Sequence, residues 1–128
     1  MKIRSDISRS HDRVWQHMAS PGIWLAGSER VAVAAEVRAA RNCELCRTRK
    51  SALSANAVGG EHASSAIPMS EARIELIHKL VTDPGRITHG WVKALLDSGM
   101  RDVEYVEIAG LASATMVVDT FHVWVHAP

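Results

Sequence analysis

Ser28-Glu29-Arg30-Val31-Ala32-Val33-Ala34-Ala35-Glu36-Val37-Arg38-Ala39-Ala40-Arg41-Asn42-Cys43-Glu44-Leu45-Cys46 is the stretch on which the fold turns. Alanine dominates its first two thirds and is the strongest helix former. The Ala/Val surface is also small enough for other helices to approach closely. Ser28 is a suitable N-cap for a helix over residues 29–41. Asn42 can then cap a short helix over 43–52, which places Cys43 in its first turn.

Helical patterning continues on both sides. Ser10 can open a first helix over 11–19, carrying Val14, Trp15 and Met18 and stopped by Pro21-Gly22. Ser54 to Pro68, a run of mostly small residues with Gly59-Gly60 inside it, reads as a loop. Ser70 starts a helix over 70–81 in which Ile74, Ile77, His78 and Val81 share one face. Thr82-Asp83-Pro84-Gly85 breaks it, and a helix over 87–98 with Trp91, Leu95 and Leu96 ends at Gly99. A last helix over 102–124 bears the stripe Val103, Val106, Ala114, Val117, Val118 and Phe121. Strand-type alternation is nearly absent. The expectation is one all-α domain over residues 1–128, a bundle of about six helices.

Composition narrows the function. A chain of 128 residues with 47% hydrophobic and 23% charged residues has the profile of a single globular domain. The formal net charge of +1 argues against nucleic acid or an anionic membrane as the main partner. The longest uncharged apolar run, Ile108 to Val118, falls short of the roughly 18 residues a membrane span needs. Met1-Lys2-Ile3-Arg4-Ser5-Asp6 has no apolar stretch behind its basic residues, so the expectation is no signal peptide and a cytoplasmic location.

The two cysteines, Cys43 and Cys46, form a lone Cys-x-x-Cys, which reads first as a redox pair or half of a metal site. Three residues apart on a helix, they share a face and can reach each other. A helix N-terminus and the nearby Arg41, Arg47, Arg49 and Lys50 favour a thiolate, with Glu44 opposing. Zinc needs four ligands. His62 and His78 are available as the other two, but no second Cys-x-x-Cys and no short His-x-His pair marks a metal site, so no metal is expected. A thioredoxin-like reading needs a βαβ unit that the pattern lacks.

The segment from Ser28 to Cys46 resembles the alkyl hydroperoxidase D (AhpD-like) and carboxymuconolactone decarboxylase superfamily, in particular its alkylhydroperoxidase-related subgroup. The likeness continues through Ala52-Leu53-Ser54, Gly60-Glu61-His62, Thr82-Asp83-Pro84-Gly85-Arg86, Tyr105-Val106-Glu107 and Asp119-Thr120-Phe121-His122, and so covers most of the chain. The resemblance implies an AhpD-like helical fold and a thiol-dependent peroxidase or disulfide oxidoreductase, needing no cofactor. It implies that Cys46 attacks the peroxide, that Cys43 resolves the sulfenic acid to a disulfide, and that an external dithiol or thiol protein reduces it. It also implies a homo-oligomer. A non-enzymatic helical domain whose cysteine pair senses redox state or binds metal is the rival reading.

Two positions depart from the family pattern. Lys50 stands where a histidine is usual, four residues after the second cysteine, and Val31 stands where the relay glutamate is usual. Lys50 shares a helix face with Cys46 and would stabilise its thiolate, yet an amine titrating near 10.4 is a poor proton shuttle. Glu36 and His62 are the candidates for that role. His78 reads as a hydrogen-bonded core histidine, and Asp119 with His122 as a local helix contact. Trp15, Trp24, Trp91 and Trp124 read as packing.

Overall fold

A computed structural model describes residues 2–126, and these form an all-helical chain with no strand among them. Its helices are α1 (Ser5–Met18), α2 (Gly27–Ala40), α3 (Glu44–Ser51), α4 (Glu71–Thr82), α5 (His89–Asp97) and α6 (Asp102–His126). Short 3-10 turns at Ala55–Ala57 and Pro84–Arg86 interrupt two of the connections. The expected bundle of about six helices is therefore present.

Caps account for where the observed helices begin. Ser70 and Thr88 accept hydrogen bonds from the Arg73 and Trp91 amides, closing the starts of α4 and α5. Several expected starts shift, α5 from 87 to 89 among them. α1 begins at Ser5 rather than near Ser10, with Asp6 in its first turn facing the positive end of the helix dipole. α2 begins at Gly27, because the Glu29 carboxylate, not the Ser28 hydroxyl, holds the free amide of Ala26 at 3.0 Å. α3 begins one residue later than expected, so Cys43, not Asn42, is its N-cap.

α2, α4 and α6 pack against one another, α1 lies on α2 and α6, and α3 lies on α4. Val33, Val37, Leu76, Ile77, Ile108 and Ala112 form the fully enclosed centre between the three inner helices. α6 buries Ile108, Leu111, Ala112, Thr115 and Val118 and leaves Val106, Val117, Val123 and Trp124 exposed. Its most apolar 18-residue window has a mean hydropathy of 1.4, so α6 is long and apolar enough to cross a membrane by length and composition. The uncharged run Ile108–Val118 understates this, since a span tolerates a charge or two.

Arginines, one of them buried, fasten the helices where apolar contact alone would let them slide. Arg30 donates to Met18 O (2.9 Å) and His17 O (3.4 Å), capping α1, and pairs with Glu107 of α6 at 2.8 Å. Asp119 of α6 is taken by Arg38, with Nε and Nη2 both at 3.1 Å, and by Arg41 at 3.7 Å. The expected Asp119–His122 contact therefore does not form; His122 meets the ring of His126 edge-on instead.

Gly22 lies directly over the Arg30–Glu107 pair, where an added Cβ would overlap Glu107 Oε1 and Arg30 Nη1. Gly22→Ala must displace that pair and is expected to cost about 1–3 kcal/mol, as overpacking generally does. Urea unfolding of the variant beside the parent checks this; equal midpoints would contradict it.

Candidate redox and metal site

Leu45 and Cys46 are the buried residues of α3, which turns them toward α4 and places the charged side chains of Glu44 and Arg47 in solvent. The far end of the helix is fixed by Arg86. Its guanidinium donates to the carbonyls of Arg49 (2.7 Å), Lys50 (3.2 Å) and Ala52 (2.9 Å), while Asp83 orients it at 2.6 Å. The turn Thr82-Asp83-Pro84-Gly85-Arg86 is thus the brace of the cysteine helix, a role invisible in local patterning.

The loop after α3 folds back over the sulfurs. Gly60 adopts φ +148°, a backbone conformation open to glycine, where a Cβ would press on Leu45 Cδ1 at 3.1 Å. Directly beyond it, His62 Nδ1 lies 3.5 Å from Cys43 Sγ and 3.4 Å from Cys46 Sγ. The Ala63 amide donates to Cys43 Sγ at 3.3 Å. Ser64 Oγ and the Ser65 amide each donate to Glu36 Oε2 at 3.0 Å.

Two carboxylates stand behind the two imidazoles. His78 Nδ1 lies 3.2 Å from Cys46 Sγ, and its Nε2 lies 2.8 Å from Glu36 Oε1. His62 Nε2 lies 2.9 Å from Glu75 Oε1, and Arg49 Nη1 donates to both oxygens of Glu75 at 3.2 Å. The two rings sit with centroids 4.2 Å apart. Cys43, Cys46, Glu36 and His78 are buried. Cys46 borders a cavity of about 140 Å³ shared with Arg49, His62, Glu75, Lys79 and Trp91.

Of the residues singled out in the sequence, Cys43, Cys46 and His62 meet directly, and Glu36 joins them through His78. Lys50 does not. It lies exposed in the last turn of α3, and the cation turned toward the site is its neighbour Arg49, anchored on Val58 O at 2.9 Å. Val31 is half exposed on α2, away from the sulfurs. The core reading of His78 is right about burial and incomplete about purpose, because both its nitrogens face chemistry. Glu75 is the residue missed outright. Its signal is its spacing of three from His78, which puts both on the loop-facing side of α4.

The electrostatics follow from these contacts. Burial opposes ionisation of Cys46, but hydrogen bonds from His62 and His78 outweigh it and bring the thiol down to about 6. Cys43 is lowered too, against burial, by the amide of Cys46, the His62 ring and the amide of Ala63. Hydrogen bonds to Cys46 and then Glu75 raise His62 to about 10, and the imidazole in turn lowers Glu75 to about 2. Burial pulls His78 down, yet Cys46 and Glu36 raise it overall. Glu36 is lowered despite burial, by His78 first and then by the Ser65 amide. At neutral pH the site holds thiolate and imidazolium side by side.

This arrangement supports nucleophilic attack by sulfur, closure of a disulfide between two thiols, or capture of a metal ion. The ligand atoms Cys43 Sγ, Cys46 Sγ, His62 Nδ1 and His78 Nδ1 all lie within 4.8 Å of one another. Compared with known protein families, with curated proteins and with solved structures, the chain matches none. The geometry alone therefore establishes a Cys-x-x-Cys pair with two histidines, suited to redox or metal chemistry.

Thiolate absorbance in reduced, chelator-treated protein should show Cys46 ionising with a midpoint near 6. A free thiol at about 8.5 would be roughly 3% ionised at pH 7, whereas a midpoint of about 6 gives roughly 90%. Losing hydrogen-bond donors moves a thiol up, so His62→Ala should shift the midpoint toward the free value and slow alkylation at pH 7 about tenfold or more. Lys50→Ala should leave the curve in place.

Proposed function

We propose that the chain is a dithiol oxidoreductase of the alkyl hydroperoxidase D type, reducing hydroperoxides in the cytoplasm at the expense of an external dithiol or thiol protein. One observation carries this reading: Cys46 Sγ lies within 3.2–3.4 Å of two imidazoles, with the Cys43 thiol on the same side.

The steps balance without a cofactor. The Cys46 thiolate attacks one oxygen of the hydroperoxide; an S–O bond forms, the O–O bond breaks, and the leaving alkoxide takes a proton from an imidazolium. The Cys43 thiolate then attacks the sulfur of the resulting sulfenic acid; an S–S bond forms and hydroxide leaves, protonated to water. Two thiols have lost two electrons and the peroxide has gained them. An external dithiol restores the pair by exchange.

The departures at Lys50 and Val31 fit this scheme once the proton path runs differently. In the family it resembles, the relay histidine follows the second cysteine on the same helix. Here the imidazoles arrive from the loop and from α4, each with its own carboxylate, Glu75 for His62 and Glu36 for His78. Each imidazole is thereby held by its carboxylate within reach of Cys46 Sγ, positioned to hand a proton to the leaving oxygen. The small cavity beside Cys46 suits a short hydroperoxide rather than a lipid one.

Peroxide consumption with a dithiol reductant tests the assignment. Cys46→Ser should abolish turnover, and Cys43→Ser should stop after one equivalent with a trapped sulfenic acid that a dimedone probe labels. Turnover by Cys46→Ser at the parental rate would end the proposal.

Assembly into a dimer or higher homo-oligomer belongs to the same reading, through the outer face of α6. Val106, Val117, Val123 and Trp124 are 65–72% exposed there, an apolar surface of the kind that self-association covers. Sedimentation at concentrations on the order of tens of micromolar should show the oligomer, and Val117→Glu should shift it toward monomer. A monomeric parent at that concentration would contradict it.

A further inference from the structure

The four groups that face one another at the site describe a coordination polyhedron as well as a reactive dithiol. With Zn–S at about 2.3 Å and Zn–N at about 2.0–2.1 Å, tetrahedral geometry puts sulfur and nitrogen ligands ~3.6 Å apart. Three of the four S···N distances at the site are 3.2, 3.4 and 3.5 Å, and the fourth, Cys43 Sγ to His78 Nδ1, lies within 4.8 Å. The first three already approach the edges of that tetrahedron.

The surroundings are those of a metal centre as well. A ligating histidine characteristically gives its second nitrogen to a carboxylate or carbonyl, fixing the tautomer and aiming the free lone pair at the ion. Both histidines do so, His62 to Glu75 and His78 to Glu36, and in both the nitrogen left over is the Nδ1 that faces sulfur. The Ala63 amide supports Cys43 Sγ as an outer hydrogen bond. Two thiolates would cancel the charge of a divalent ion, so a buried site could hold it without a net charge among the ligands. Two sulfurs and two nitrogens in a tetrahedron select zinc among the common divalent ions.

We propose that the reduced chain binds one Zn²⁺ through Cys43 Sγ, Cys46 Sγ, His62 Nδ1 and His78 Nδ1, and that the bound ion keeps the dithiol unreactive until it is removed or oxidised. Four protein ligands leave no open position, so the zinc is not a Lewis acid for substrate but a cap on both sulfurs. The second half rests on the dithiol reading above. Oxidation of the loaded site also balances: two thiolates, one hydroperoxide and two protons give a disulfide, an alcohol and water, and Zn²⁺ departs because two of its four ligands are gone. The ligands come from α3, the loop and α4, so the ion ties three segments together.

Cobalt and zinc decide the matter on the full reduced chain. Co²⁺ should bind one per chain and give both intense tetrahedral d–d bands and a thiolate-to-metal charge-transfer band, and Zn²⁺ should bleach them stoichiometrically. Zn²⁺-loaded protein should alkylate at least tenfold more slowly than chelator-treated protein, and hydroperoxide should release the ion, seen with a zinc indicator, as the disulfide forms. Glu75→Gln, which keeps every ligand, should weaken Zn²⁺ binding by about 10–100-fold. An octahedral cobalt spectrum without the charge-transfer band overturns the site, and so does zinc affinity unchanged in Cys43→Ser/Cys46→Ser. Loaded thiols that alkylate as fast as free ones overturn the capping role. Peroxide turnover by chelator-treated protein is measured separately, so a failure of the oxidoreductase reading leaves the cobalt spectrum to speak for the ion alone.

Discussion

The Glu36 carboxylate is the constraint around which the molecule is arranged. It is wholly enclosed, on a helix otherwise buried through alanine and valine. An ionised carboxylate without partners costs several kcal/mol or more in such a place. It finds three donors instead: His78 Nε2 from α4, and Ser64 Oγ and the Ser65 amide from the loop. One side chain of α2 thereby positions a helix and a loop that share no regular hydrogen bonding with it. His78 in turn carries the constraint to Cys46, and the loop carries His62 to both sulfurs. The core helices supply stability, while Glu36 supplies the register in which the thiols meet their imidazoles.

In the metal site proposed above, protons and a metal ion would be alternative fillings of the same space. Without an ion, the imidazoles are the groups that can balance negative sulfur, since each Nδ1 lies within hydrogen-bond reach of Cys46 Sγ. With an ion, the same nitrogens offer lone pairs, and the divalent charge takes over from the protons. Both fillings need the outer carboxylates, which explains why each histidine has its own. Metal affinity at such a site would compete with acid, and oxidation with both, because a disulfide can neither accept the protons nor hold the ion.

Helices were legible in the sequence wherever the apolar period and a capping residue agreed. Ser70 with the Ile74–Ile77–His78–Val81 face is such a case, and α4 lies where that pattern puts it. Starts went astray where a side chain outside the usual capping position did the work, as Glu29 does for Ala26. At the site, Cys43 and Cys46 announced themselves by spacing, and Glu36 and His62 were nominated as candidates for want of the usual relay residues. Lys50 shares a helix face with Cys46 by spacing, but a four-residue spacing does not say which neighbour turns inward; Arg49 does, drawn by Val58 O and Glu75. Ligand spacing along the chain is a poor guide when Cys46, His62 and His78 are separated by 16 residues in each interval and only the folded loop unites them.

His62, Ala63, Ser64 and Ser65 all belong to one stretch without regular secondary structure, so only side-chain and amide contacts hold that wall of the site in place. Peeling back that stretch breaks its hydrogen bonds to both sulfurs, to Glu75 and to Glu36, and leaves the packed trio of α2, α4 and α6 in place. A handful of hydrogen bonds, each worth about 0.5–1.5 kcal/mol net and more where a partner is charged, sets the scale of that opening. Cys43, almost inaccessible in the closed form, becomes reachable through this local excursion. In the cycle proposed above, a partner dithiol too large for the cavity would reach the disulfide only with that stretch displaced, so the loop would act as a sieve on reductants.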